Sequence, residues 1–162
     1  MRTVPDAAFW YIAGDLVDYP YEDWQWGALF RGAREAFTRY PQIMAAGNHA
    51  YLWAYRDHRG ELPPTWRPHL TQPENGPEEL GETCFYVDYQ GVRFIVLNGN
   101  ERLEDQAKWL KKVLEENPNR WTLVGIHPGF VSQRLGTGLS RSPKAVLAPH
   151  GKIRGFHGFA GA

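Results

Sequence analysis

A chain of 162 residues, 43% hydrophobic and 14% aromatic with seven Trp, has the length of one domain and enough apolar mass for a core, which excludes a disordered segment. Its single cysteine, Cys84, excludes an internal disulfide framework, and no run is long and apolar enough to cross a bilayer. The net charge of zero hides an asymmetry: residues 1–128 hold 13 Lys and Arg against 18 Asp and Glu, a balance of −5, whereas residues 129–162 hold five basic residues and no acid.

The first residues, Met1 to Asp6, carry no apolar core of a secretory leader. Phe9-Trp10-Tyr11-Ile12-Ala13 is a continuous apolar run stopped by Gly14, and reads as a strand buried on both faces. Glu22 and Asp23 then open a helical pattern, with acids where the helix dipole is positive. Trp26, Leu29, Phe30, Ala33 and Phe37 fall on one face, and Pro41 prevents continuation. Ile43-Met44-Ala45-Ala46 is a second short strand stopped by Gly47. This strand–helix–strand unit puts Gly14-Asp15-Leu16-Val17-Asp18 and Gly47-Asn48-His49 at the carboxyl ends of two strands, the edge where open α/β sheets bind ligands.

Residues 51–82 hold five Pro and read as a long loop with one short helix. Thr83 to Tyr89 and Val92 to Asn98 are β-rich runs around Gln90-Gly91, which predicts a hairpin. Cys84 is expected as a buried strand residue, since no base stands near it in the sequence. Leu103, Ala107, Leu110 and Leu114 predict a second amphipathic helix ending near Asn117-Pro118. Trp121 to Ile126 is the last strand, and it delivers His127. After Gly129 the periodicity fades, which divides the chain into an α/β domain over 1–128 and an irregular basic Gly/Ser/Pro-rich tail over 129–162. The tail lacks the dense cations and interleaved aromatics of a nucleic-acid surface, so neither nucleic acid nor membrane is expected as a partner.

An aspartate at a strand end can bridge two divalent metals, Asn offers a neutral hard oxygen, and His suits Zn, Fe or Mn. Such a mixed shell with an open position activates water or polarises a phosphoryl oxygen. Asp15 equally suits a turn after a strand, and Asn48 a left-handed turn position. His127 equally suits a strand end bonded to backbone, and His49 a loop. His58, His69 and His150 have no partner at a useful spacing and are expected at the surface.

The succession Gly14-Asp15, Gly47-Asn48-His49 and His127 resembles the calcineurin-like metallophosphoesterases, within them the purple acid phosphatase-like branch, over roughly residues 7–128. The hairpin, Asn98 and the helix carrying Gln106 and Trp109-Leu110 are similar to that branch as well. The resemblance implies a partial α/β/β/α sandwich and a phosphatase or phosphodiesterase in which metal-activated water attacks phosphorus in line. It implies Asp15, Asn48 and His127 as ligands of divalent metal, Fe, Mn, Zn or similar, and His49 as the phosphate-facing general acid. Asp18 takes a supporting role and no metal, and a phosphate ester is the substrate. The family's opening Asp-x-His or Asp-x-Gly block has no counterpart here, and Gly155-Phe156-His157-Gly158 does not match its closing Gly-His-x-His. Ala50 follows His49 where the family usually has an orienting acid, and Pro128 follows His127 where a second His is common. The expectation is therefore a fragment that keeps part of a two-metal site and has reduced activity, holding one metal or none. The rival expectation is a non-catalytic α/β module that binds a partner.

Overall fold

The computed structural model describes residues 7–51 and 62–127. The tail over 129–162, Pro128, His58, His150 and His157 lie outside the described residues. The described chain is a mixed α/β structure of two small sheets and a few helices, and no helix among its residues is long and apolar enough to cross a membrane.

Strand β1 (Trp10–Ile12) pairs in parallel with β2 (Gln42–Met44), in the register Trp10↔Gln42 to Ile12↔Met44. The crossover between them is helical, as the apolar spacing requires, but it is two helices rather than one: α1 (Asp23–Gly32) and α2 (Arg34–Arg39). The break falls at Ala33, whose φ of −106° and ψ of 21° leave the helical region directly after Gly32. Glycine is the weakest helix former after proline, so the interruption falls where it costs least. The Ala33 amide still donates to Leu29 O, and Phe37 reaches Phe30 with ring centroids 4.9 Å apart, so the apolar face survives the break. Strand β1 packs on both faces, Ile12 against the Trp26 and Trp66 side and Tyr11 against Phe94 and Phe85, although its residues are half-buried rather than fully buried.

The loop after β2 carries a 3-10 turn (His49–Tyr51) and, further on, the short helix α3 (Trp66–His69). His69 corrects the expectation of a surface residue. Its ring stacks on Trp26 with centroids 4.8 Å apart and planes 8° from parallel, and its Nδ1 lies 2.7 Å from Thr65 O. The hairpin forms as predicted: β3 (Phe85–Tyr89) runs antiparallel to β4 (Val92–Asn98), and Gln90 and Gly91 both take positive φ, 46° and 80°. Paired positive φ values suit the right-handed twist of a two-residue turn. Helix α4 (Leu103–Glu115) returns the chain to β5 (Trp121–His127), which pairs in parallel with β4 so that Asn98 stands opposite His127.

Three apolar clusters hold these elements in order. Trp26, Tyr51, Trp66, Val17 and Leu70 pack α1 and α3 with the end of β2. Ile43, Ala45, Phe85, Phe94 and Val96, flanked by Phe9 and Tyr11, fill the space between the two sheets. Ile95, Leu97, Leu80, Cys84 and Val113 seat α4 on the opposite face of the hairpin sheet. The alternation along β4 explains the division: Phe94 and Val96 face one sheet neighbour, Ile95 and Leu97 the helix.

Two charged side chains are buried among the described residues, Glu82 and Arg93. Arg93 on β4 is 5% exposed, donates from Nε and Nη2 to both oxygens of Asp88 at 2.7 and 2.6 Å, and donates from Nη1 to Val113 O at 2.8 Å. Its guanidinium also lies 4.2 Å above the Tyr86 ring. The bond from Arg93 holds the Asp88 carboxyl below its ordinary value of 3.8. That contribution is complete above 3.8 and is lost as pH falls through the lowered folded-state value. Because Asp88 is partly exposed, Asp88→Asn is expected to cost about 1–2 kcal/mol near neutral pH. Urea denaturation of the two proteins from pH 7 downward should show the gap closing at the acid end; parallel curves would contradict the pairing.

Candidate functional site

The carboxyl ends of β1, β2 and β5 meet at one place. Gly14 takes φ of 103° and Asp15 φ of 50°, a left-handed pair that turns the chain sharply as β1 ends. Aspartate is one of the few non-glycine residues that adopt this region readily. The turn directs the Asp15 carboxylate toward the loop after β2. There the His49 amide donates to Asp15 Oδ1 at 2.9 Å, which leaves Oδ2 toward His127 Nε2, 3.0 Å away. Asn48 Oδ1 also lies 3.0 Å from that same nitrogen. Three sequence-predicted ligand residues, separated by up to 112 positions, thus bring two oxygens and one nitrogen together.

The two glycines before these residues make the approach possible. A Cβ on Gly47 would overlap Asp15 Oδ1, and one on Gly14 would stand 2.7 Å from His127 Cγ and 2.9 Å from Gly47 Cα. Backbones and carboxylate are therefore packed as closely as residues without side chains allow.

His49, the predicted acid, stands beside this group. Its Nδ1 lies 2.8 Å from Asp18 Oδ1 and 3.2 Å from Asp18 O. Asp18 reaches it from the loop after β1. Asp18 is itself held, since its amide and that of Tyr19 donate to Gln25 Oε1 on α1 at 2.9 and 3.0 Å.

The donor chemistry fits a divalent cation in part. Ligands at about 2.1 Å from a metal and at right angles to each other lie about 3.0 Å apart. The two separations from His127 Nε2 are both 3.0 Å. A single ring nitrogen facing two oxygen acceptors has at most one proton for both, whereas a cation satisfies all three donors. Among the described residues no group of three or more His, Cys, Asp or Glu side chains is arranged to hold a metal ion, and the set here reaches three only by including Asn48.

Behind the rim lies a buried polar network, of which only Asn98 and Gln106 stood out in the sequence. Asn98 is fully buried at the end of β4 and donates from Nδ2 to Tyr51 OH at 2.6 Å and Thr83 Oγ1 at 3.1 Å. Tyr51 in turn donates to Glu101. Burial, reinforced by Glu101, pushes the Tyr51 hydroxyl well above its ordinary value and keeps it a proton donor. Gln106 clamps the strand end from α4, accepting from Asn98 N at 2.9 Å and donating to Asn98 O at 2.7 Å. The alternating polar residues after an apolar strand, Asn98 and Asn100, were the available signal; the partners Tyr51 and Thr83 come from distant sequence.

Cys84 plays no part in this chemistry. It is fully buried just before β3, and burial pushes its thiol up to about 12. No family model matches the chain, and no curated protein matches it.

Two outcomes are expected. Cys84 should resist a disulfide reagent at pH 8 in the folded protein and react at once in denaturant; rapid labelling of the native chain would contradict its burial. Gly47→Ala should lower stability by about 1–3 kcal/mol through overpacking, measured by denaturant unfolding, and a neutral result would contradict the close approach of Asp15.

Proposed function

We propose that this chain carries the core of a divalent-metal phosphoric ester hydrolase of the calcineurin-like type. The observation that carries the reading is the convergence of Asp15 Oδ2 and Asn48 Oδ1 on His127 Nε2 at 3.0 Å, from three separate strand ends, with His49 alongside. The layering of helices, two sheets and α4 around three apolar clusters supports the α/β/β/α sandwich that goes with this reading.

Asp15, Asn48 and His127 would hold the metal. A divalent cation supplies charge stabilisation for phosphoryl oxygens and brings the pKa of water toward neutrality. The chain's own groups do the rest. The His49 amide fixes Asp15 Oδ1 and so orients the other carboxylate oxygen. Asp18 holds Nδ1 of His49 as the N–H nitrogen, which leaves Nε2 as the atom that exchanges a proton. A protonated Nε2 can then donate to the departing alkoxide as general acid.

A second reading has its own support. Trp121, Leu123 and Tyr89 are 62, 48 and 44% exposed on one face of the hairpin sheet, beside a groove lined by Phe9, Val87, Val92 and Phe94. An exposed apolar face of this kind suits a partner-binding module without catalysis.

Metal analysis and turnover of p-nitrophenyl phosphate and its bis-ester decide between the readings. The purified chain is expected to retain Mn, Fe or Zn and to hydrolyse at least one ester. Asp15→Ala should lose the metal. His49→Ala should keep it and lose about 10²–10⁴-fold in rate. A chain with neither metal nor turnover would favour the partner-binding module.

A further inference from the structure

We infer that Asn100 is the positioning residue of this site: its side-chain amide sets the interval between the Asn48–His49 turn and the ends of β4 and β5. The inference treats that site as the functional one and so rests on the reading above, although its principal readout does not.

The two sheets share no strand pairing among the described residues. What joins them is largely the apolar cluster of Ile43, Ala45, Phe85, Phe94 and Val96. Apolar contact is non-directional and leaves small shifts between the layers nearly free. Yet Asp15 and Asn48 belong to one sheet and His127 to the other, and their donor atoms stand 3.0 Å apart. A directional contact is needed beside them.

Asn100 supplies it. Its Nδ2 donates to Gly47 O at 3.2 Å and lies 3.4 Å from Ala46 O, the carbonyls that lead into Asn48. The same nitrogen and the Asn100 amide both donate to Asn98 Oδ1 at 3.0 Å. Asn98 stands opposite His127 in the β4–β5 register. The contacts therefore close a circuit, from Asn98 to Asn100, to Gly47 and Asn48, to His127 and back across the ladder to Asn98. Asn98 cannot drift within it, because Tyr51, Thr83 and Gln106 hold its other groups. Gly47 O also accepts from Ala50 N at 3.2 Å, so the carbonyl that Asn100 grips is the one that starts the turn carrying His49. Asn100 itself makes no contact with Asp15 or His127 and acts through the Ala46 and Gly47 carbonyls and Asn98.

The test is amide hydrogen exchange resolved by NMR, paired with Mn²⁺ titration. In Asn100→Ala the His49 amide should exchange about tenfold faster than in wild type, while Ile95 on β4 keeps its rate. Mn²⁺ affinity should fall about tenfold, the size of effect that outer-shell partners have on metal sites. Asn75→Ala, which removes the side chain that brackets Tyr86 N and O, should leave both readouts unchanged. Unchanged His49 exchange in Asn100→Ala overturns the inference. If that variant does not fold, the wild-type spectrum decides: the Asn100 side-chain amide should exchange slowly, and a freely exchanging one overturns the inference. Wild type that binds no Mn²⁺ but shows the expected His49 response would remove the metal reading and leave the positioning role standing. Mn²⁺ binding that Asn100→Ala leaves intact, with unchanged His49 exchange, would do the reverse.

Discussion

Everything at the strand ends depends on His127 Nε2 meeting Asp15 Oδ2 and Asn48 Oδ1 at 3.0 Å. This contact crosses from one sheet to the other. The positive-φ turn at Gly14 and Asp15 aims the carboxylate into it, and position 47 requires glycine, because the Asp15 carboxylate occupies the space a side chain would take. Packing this close persists only where surrounding structure over-determines it. Here the over-determination is visible: the His49 amide holds one carboxylate oxygen, and apolar packing holds the strands.

The fold and the site divide their labour along each strand. In β4, Phe94 and Val96 face the other sheet, Ile95 and Leu97 face α4, and Asn98 ends the strand with a buried amide. Apolar alternation sets which layers meet, and the terminal polar residue sets how closely they register. Arg93 repeats the device at the other end of the strand, bracketing Asp88 and the last turn of α4. Buried polar groups with every partner in place specify a unique arrangement that hydrophobic contact alone leaves loose.

Much of this was legible in the residues. Runs stopped by glycine marked β1 and β2, the Gln90-Gly91 pair marked the hairpin, and the spacing of Leu103, Leu110 and Leu114 marked α4, because these signals are local. The placing of Asp15, Asn48 and His127 at strand ends followed from the same runs. What escaped notice depends on residues far apart in the chain. Asp18 orients His49 across 31 positions, a contact that only the parallel pairing of β1 and β2 creates. Tyr51 and Thr83 meet at Asn98 only once the turn after β2 packs against the end of β4. His69 has no sequence neighbour to announce it, since Trp26 reaches it only after α1 and α3 pack. The break at Ala33 was hidden because the apolar spacing runs straight through it.

The central proposal is that His127, Asn48 and Asp15 act as one cation grip. Zinc titration followed by two-dimensional nitrogen NMR of the histidine rings tests this most directly. The account predicts that His127 Nε2 moves to a metal-ligated shift, saturates at one equivalent, and fails to respond in Asp15→Ala. A His127 ring whose nitrogens stay put while zinc is bound elsewhere, or not at all, would contradict it.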